Sequence, residues 1–320
     1  MPRTAAGAEP SLSAPRVAPP VPAAPLPVVE AGPAPPTPQP GPERGAAQGS
    51  GAGHYRVELA APLLVAVDNA RSAFPQEGLA LARRVYELPV EGGVTRLLLE
   101  TRGGEQGRVG PVRSARVAML DLADALGAFL VHVGGSPAAL ARIEREGYVT
   151  FDGLFDRARF VRVRGRRPPH NTFVDLGAVR AELRRLGLDR VEVRKGAAYR
   201  PAADTAPGRL VRVRFAPDYV STFRFQKGVY RWWWNGRVSK VGLDAVVILY
   251  VRARVRDEEG RLDLDLSSGE GALYLGGRYQ PVRYRLEKGG FALTDTRNRS
   301  VDLTPYRVWF LLVPPWARVE

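Results

Sequence analysis

The chain has 320 residues, is 45% apolar and 25% charged, and carries a formal net charge of +14. That is long enough for two ordinary domains and normal for a globular protein. It contains no cysteine, which excludes disulfides, cysteine-based zinc sites and thiol nucleophiles.

No apolar run reaches the ~18 residues that a membrane-spanning helix needs. The N-terminus lacks the charged, then apolar, then small-residue order of a signal peptide. Lys195, Lys227, Lys240 and Lys288 are the only lysines, so the positive charge is almost all arginine. A surplus of this size suits a polyanionic partner, either nucleic acid or an acidic envelope polymer. No block of five or six consecutive basic residues concentrates it, which disfavours nucleic acid.

Residues 1–52 hold 14 of the 28 prolines and no aromatic residue. Such a tract cannot bury enough apolar surface to offset its ordering entropy, so it reads as a disordered Pro/Ala-rich stalk. Stalks of this kind are common in envelope proteins, which favours export.

Residues 53–203 alternate strand and helix signals, the pattern of an α/β layered domain. "PLLVAV" (62–67) is a strand that ends on Asp68-Asn69. "GLALARRVYEL" (78–88) has helical spacing at 79, 82, 85 and 86. "VTRLLLET" (94–101) is a buried strand, and Gly103-Gly104 with Gly107 makes a turn. "PVRSARVAMLDLADALG" (111–127) reads as a helix with Pro111 in its first turn and Gly127 at its end. "AFLVHV" (128–133) is a strand. "SPAALARIEREG" (136–147) is a helix with Ser136 at the cap, Pro137 at N1 and Gly147 at the stop. A strand near 159–165, the loop "RRPPHNTF" (166–173) and a helix over 174–187 follow.

Residues 204–320 change to period two, with turns rich in Gly, Asn and Asp, as in a mostly antiparallel β domain built of hairpins. "AADTAPG" (202–208) is the expected joint. The fold class expected is therefore α+β. In "YRWWWNG" alternation sends Trp232 and Trp234 to one side and Trp233 to the other, so one side packs inward and the other is open to stacking.

"AVDNARSAFPQEGLALARRVYELPVEGGVTRLL", followed by "GPVRSAR" and "VHVGGSP", resembles the YerB-type lipoproteins of the DUF3048 family. "PPHNTF" fits a later part of the same domain. The aromatic strand, "VVILYV", "GEGALYLGGRYQPVRYRL" and "VWFLLVP" look like that family's second domain. The resemblance covers roughly 55–316. It implies a bacterial protein tethered outside the cytoplasmic membrane by an N-terminal lipid, with no implied activity. The chain departs from that pattern in having no cysteine to lipidate.

The candidate chemistry lies at the ends of apolar runs. Asp68 and Asn69 close the first strand, where open α/β sheets bind ligands; the same pair also makes turns. Glu87 and Glu91 bracket Pro89 and can converge from a loop as general acid and base, with Thr95 beside them. Arg113, Ser114 and Arg116 fall in the first turn of the helix expected from Pro111. Cations there raise the positive potential of a helix N-terminus, which suits a bound carboxylate or phosphate. The alternative is an ion pair with an internal acid such as Asp121 or Glu87.

His132 precedes Gly134-Gly135-Ser136, a turn able to cradle an anion but matching neither a dinucleotide fingerprint nor a P-loop. His170-Asn171 follows Pro168-Pro169 and either joins a site or caps the next helix. No HExxH, GxSxG, P-loop or paired CxxC is present. No metal site and no cofactor are expected.

The leading expectation is an extracytoplasmic, envelope-associated protein, with a cytoplasmic location as the alternative. Its N-terminal domain would bind an anionic or glycan ligand in a polar cleft of Asp68, Asn69, Arg71, Glu87, Glu91, Thr95, Arg113, Ser114, Arg116, His132, Gly134, Gly135, Ser136, His170 and Asn171. The rival is a hydrolase or transferase on a cell-wall polymer, with Glu87 or Glu91 as acid or base and His132 as proton shuttle. Nonspecific nucleic-acid binding is the weakest reading.

Overall fold

The structure is a computed structural model that describes residues 28–29, 55–103, 106–195, 198–202, 205–234 and 236–320. The expected stalk lies outside the described residues except for Val28–Val29, which pair with Arg162 and Val163. The expected Gly-rich turn at 103–107 and the joint at 202–208 each lie partly outside them as well.

The protein is mostly β, with several sheets and three α-helices among the described residues. The elements that build the central sheet and its covering layers are, in chain order, β1 (Leu63–Asp68), β2 (Arg84–Pro89), β3 (Thr95–Thr101), α1 (Val117–Leu126), β4 (Phe129–His132), α2 (Pro137–Glu146), β5 (Thr150–Asp152) and α3 (Leu176–Arg185). There follow β6 (Leu210–Ala216), β7 (Tyr219–Gln226), β8 (Val229–Trp234), β9 (Arg237–Leu243), β10 (Ala245–Tyr250), β11 (Ser268–Leu275), β12 (Arg278–Glu287) and β13 (Val308–Val313).

One sheet crosses the molecule in the order β12-β11-β10-β13-β2-β3-β1-β4-β5. Near the C-terminus, β13 runs parallel both to β10 and to β2, so strands from before and after residue 203 share this sheet. Being sandwiched on both faces, its inner strands read as continuous apolar runs rather than alternations; all six residues of β1 and all six of β13 are buried.

Each face has its own core. Val65, Val67, Val85, Leu97 and Leu99 pack with Phe223, Tyr230, Trp232 and Trp234 of a second sheet, β9-β8-β7-β6, on one side. Leu64, Ala66, Tyr86 and Leu98 pack with Met119, Leu122 and Leu126 of α1 on the other. The tryptophan alternation holds: Trp232 and Trp234 are buried, while Trp233 is half-buried with the Arg224 guanidinium 5.4 Å from its ring centre.

The helix over 136–147 forms as its signals direct. Ser136 Oγ accepts from the Ala139 amide at 3.3 Å, Pro137 takes N1, and Gly147 closes the helix at φ 67°, a conformation open to glycine.

Two helical expectations fail. Residues 78–88 contain only a single 3₁₀ turn, Leu79–Leu81, followed by β2. The spacing of 79, 82, 85 and 86 mimics a helix, but Val85 and Tyr86 occupy a strand flanked on both sides, and tertiary pairing overrides local propensity. The helix expected from Pro111 begins only at Val117. Before it, Val112 bridges to Val67, and the Arg113 amide donates to the Ala66 carbonyl at 2.8 Å, so residues 112–115 run extended along β1.

Candidate functional site

The carboxyl ends of β1 and β2 and the start of β3 lie side by side, and a polar network fills the space between the two sheets there. Asp68, the last residue of β1, is fully buried. Its Oδ1 accepts from Arg96 Nη1 at 3.0 Å and from the Ala70 amide at 3.1 Å. Its Oδ2 lies 3.1 Å from Arg113 Nε and 2.6 Å from His170 Nδ1. Burial alone pushes the Asp68 carboxyl up, but Arg96, the Ala70 amide, Arg113 and His170 together hold it below its ordinary value. An ionised carboxylate only accepts, so Nδ1 of His170 carries the proton of this contact. Nε2 of the same ring meets Ser72 Oγ at 2.8 Å.

Asn69 links this end to a second carboxylate. Its side-chain amide donates to Thr95 Oγ1 at 2.9 Å and reaches Glu87 Oε1 at 3.4 Å, and its Oδ1 accepts from Gln76 at 2.7 Å. Tyr219 of β7 donates to the Asn69 carbonyl at 2.7 Å. Glu87 accepts from Thr95 at 2.9 Å, from Ser221 at 2.8 and 3.0 Å, and from the Trp309 indole at 3.0 Å. These donors are neutral. Burial pushes the Glu87 carboxyl up to about 7, against the opposing pull of Ser221, Thr95 and Trp309. Arg96 is itself pushed down to about 10, first by burial, with Asp68 opposing.

The fifteen expected site residues therefore divide into four groups. Asp68, Asn69, Glu87, Thr95, Arg113 and His170 come together in this network. Glu91 and Arg116 form a separate ion pair, Arg116 Nε standing 3.0 Å from Glu91 Oε2. Burial raises the Glu91 carboxyl, yet Arg116 holds it below its ordinary value. Arg71 is exposed and donates to the Asp218 carbonyl at 3.3 Å, Asn171 is buried with its carbonyl accepting from the Val163 amide, and Ser114 is half-buried.

The fourth group sits elsewhere. His132 is buried, with Nδ1 at 2.8 Å from the Gly134 carbonyl and Nε2 at 3.1 Å from Thr150 Oγ1. Burial lowers its basicity, with Asp152 opposing. It is a satisfied core histidine, and none of its contacts is Glu87 or Glu91. Ser136 serves as a helix cap, and the Gly134 and Gly135 backbone bonds to Ala115 on either side.

Two corrections follow. The acid–base set of Glu87, Glu91 and His132 is not assembled. Nor do Arg113 and Arg116 stand in a first helical turn: Arg113 is in an extended segment and Arg116 is the residue before α1. Their partners are Asp68 and Glu91, not Asp121 or Glu87.

Sequence reasoning missed Ser72, Gln76, Arg96, Tyr219, Ser221 and Trp309. Arg96 and Gln76 had a usable signal, since a charged or amide residue near the mouth of a buried strand needs a partner. Ser72, Tyr219, Ser221 and Trp309 act across 98 to 222 residues of chain and carry no local mark.

Residues 51–189 match the family described as "Protein of unknown function (DUF3048) N-terminal domain". The chain carries a DUF3048 domain and is YerB-like. It is 26% identical over 270 residues to "Putative lipoprotein YerB" of Bacillus subtilis strain 168, covering 79% of this chain and 81% of that protein. It also superposes on the crystal structure of the B. subtilis YerB protein with a TM-score of 0.73 at 25% identity, covering 82% of this chain and 94% of that one. The likeness thus extends past the DUF3048 segment into the β-rich part that contributes Tyr219, Ser221 and Trp309. Among the described residues no helix is long and apolar enough to cross a membrane.

Proposed function

We propose that this YerB-like protein works outside the cytoplasmic membrane, at the cell envelope, and binds an anionic or glycan ligand at the mouth of the Asp68 network. The envelope location rests on the lipoprotein description of its B. subtilis relative. The observation that carries the ligand class is a surplus of guanidinium. Arg96 and Arg113 share the single carboxylate of Asp68, Arg116 takes Glu91, and exposed Arg71 stands on the adjoining loop. Four cations face two carboxylates, and the unbalanced charge favours an anion. Asp68 and Glu91 orient the arginines, while the amide and hydroxyl groups around them suit the polar face of a sugar.

The test is binding of the purified chain to fractionated cell-envelope material beside an Arg113→Ala/Arg116→Ala double variant. Saturable binding by the native chain and its loss in the variant is the expected result. Equal binding by both proteins, fading smoothly with added salt, would show nonspecific charge attraction and overturn the reading.

A further inference from the structure

The geometry points to Ser72, His170 and Asp68 as a nucleophile–base–carboxylate triad that cleaves carboxylic esters, an activity distinct from ligand binding by the arginines. The three groups form one unbroken chain: Ser72 Oγ to His170 Nε2 at 2.8 Å, and His170 Nδ1 to Asp68 Oδ2 at 2.6 Å. Both distances fall in the range at which a base can take the nucleophile's proton and a carboxylate can fix the base's tautomer. Because the Asp68 carboxylate accepts the Nδ1 proton, a neutral His170 presents Nε2 as an acceptor to the serine hydroxyl. Burial follows function in order along the chain: Asp68 is sealed, His170 is mostly buried, and Ser72 is exposed to an incoming substrate.

The loop that carries Ser72 is held on both sides. Phe74 stacks on Trp234 with ring centres 5.7 Å apart, and Arg237 lies 5.3 Å above the Phe74 ring. Arg166, from the loop that carries His170, donates to the carbonyls of Ala73 at 3.0 Å and Pro75 at 2.7 Å. Two loops distant in sequence are thereby stapled in the register that makes Ser72 meet His170, which is the preorganisation a nucleophile needs. Arg96 and Arg113 outweigh Asp68 in charge. That surplus favours the neutral, basic form of the imidazole and a developing oxyanion.

In the first step Ser72 Oγ bonds to the ester carbonyl carbon while its proton passes to His170 Nε2. The carbon–oxygen bond to the alcohol then breaks, and His170 gives that proton to the departing alkoxide. Water next attacks the acyl-serine, loses a proton to His170 and releases the carboxylic acid as the proton returns to Ser72 Oγ. An ester is the substrate class because its alkoxide leaves more readily than an amine does, which suits a solvent-exposed serine.

The experiment treats the full chain with a fluorophosphonate probe and with a p-nitrophenyl ester, beside Ser72→Ala and His170→Gln. A single covalent adduct located on Ser72 by peptide mass is expected, together with ester turnover that falls at least about a hundredfold in each variant. Both variants should keep the native melting temperature, because Ser72 is exposed and its contact is peripheral. No adduct on the native protein, or turnover indifferent to Ser72→Ala, overturns the triad and leaves the three residues as a loop staple. Envelope binding measured on the same samples separates the two readings. Binding without an adduct sinks the triad alone, and an adduct without binding sinks the ligand reading alone.

Discussion

The two ends of the polar network hold one buried carboxylate each and treat them in opposite ways. Asp68 is ringed by Arg96, Arg113 and His170, whereas Glu87 is ringed by hydroxyls, an amide and an indole. The first is kept ionised by cations, and the second is pushed up by burial because no cation is among its hydrogen-bond partners. The charged end opens onto exposed Ser72 and Arg71. The neutral end is sealed between sheets and ties β2 and β3 to β7 and β13. A buried carboxylate is therefore a site in one place and a keystone in the other, and the difference lies in the charge of its partners.

The largest expected effect comes from neutralising the charged end. Asp68→Asn leaves Arg96 buried without its counterion, and breaking a buried pair in this way costs about 3–5 kcal/mol. Denaturant unfolding of the variant measures it; a cost below about 1 kcal/mol would mean that water or another acid compensates Arg96. Glu87→Gln keeps shape and most acceptors but turns an amide N–H₂ toward the Trp309 and Ser221 donors. Its expected cost is smaller, about 1–3 kcal/mol.

Acid and base sharpen the comparison because the two carboxylates have opposite linkage signs. Glu87 rises from an ordinary 4.5 to about 7 on folding. Between those values the folded chain keeps a proton that the unfolded chain has released. Its contribution is fully present below 4.5 and is lost by about 7, a total of roughly 3 kcal/mol. Asp68 runs the other way: its contribution is present above its ordinary 3.8 and is lost as the pH falls through its lower folded value. Stability measured from pH 4 to 8 should decline in the native chain and flatten in Glu87→Gln. An unchanged slope in that variant would assign the decline to other groups.

Much of the charged end was legible because it follows local rules. Asp68 and Asn69 stand where an apolar run stops, and Arg113 and His170 stand beside prolines and glycines that mark loops. The Ser136–Gly147 helix was legible for the same reason, with cap, N1 proline and stop glycine all in sequence. Glu87 drew notice as a carboxylate but not for its role, since Ser221 and Trp309 lie 134 and 222 residues away. Its strand was hidden as well, because Leu79, Ala82, Val85 and Tyr86 repeat at helical spacing while only β13, near the other end of the chain, completes the pairing that makes Arg84–Pro89 a central strand. Ser72 was invisible for want of a motif: what distinguishes it is a contact with a residue 98 positions on.

The smallest expected effect is optical, and it isolates the neutral end without unfolding anything. The Trp309 indole donates to Glu87 at 3.0 Å, and the Trp232 indole donates at 3.3 Å to Ser221, which itself donates to Glu87. Ionising Glu87 places a full negative charge at the end of both contacts, in a medium that screens it weakly. Tryptophan emission of the folded chain should therefore shift in wavelength or intensity as the pH passes through about 7. The transition should persist in Asp68→Asn, whose change lies at the other end, and vanish in Glu87→Gln, which has nothing to ionise. If it survived Glu87→Gln, a different group would be titrating beside the indoles. The sealed end would then have no proton of its own, and the contrast between the two carboxylates would rest on geometry alone.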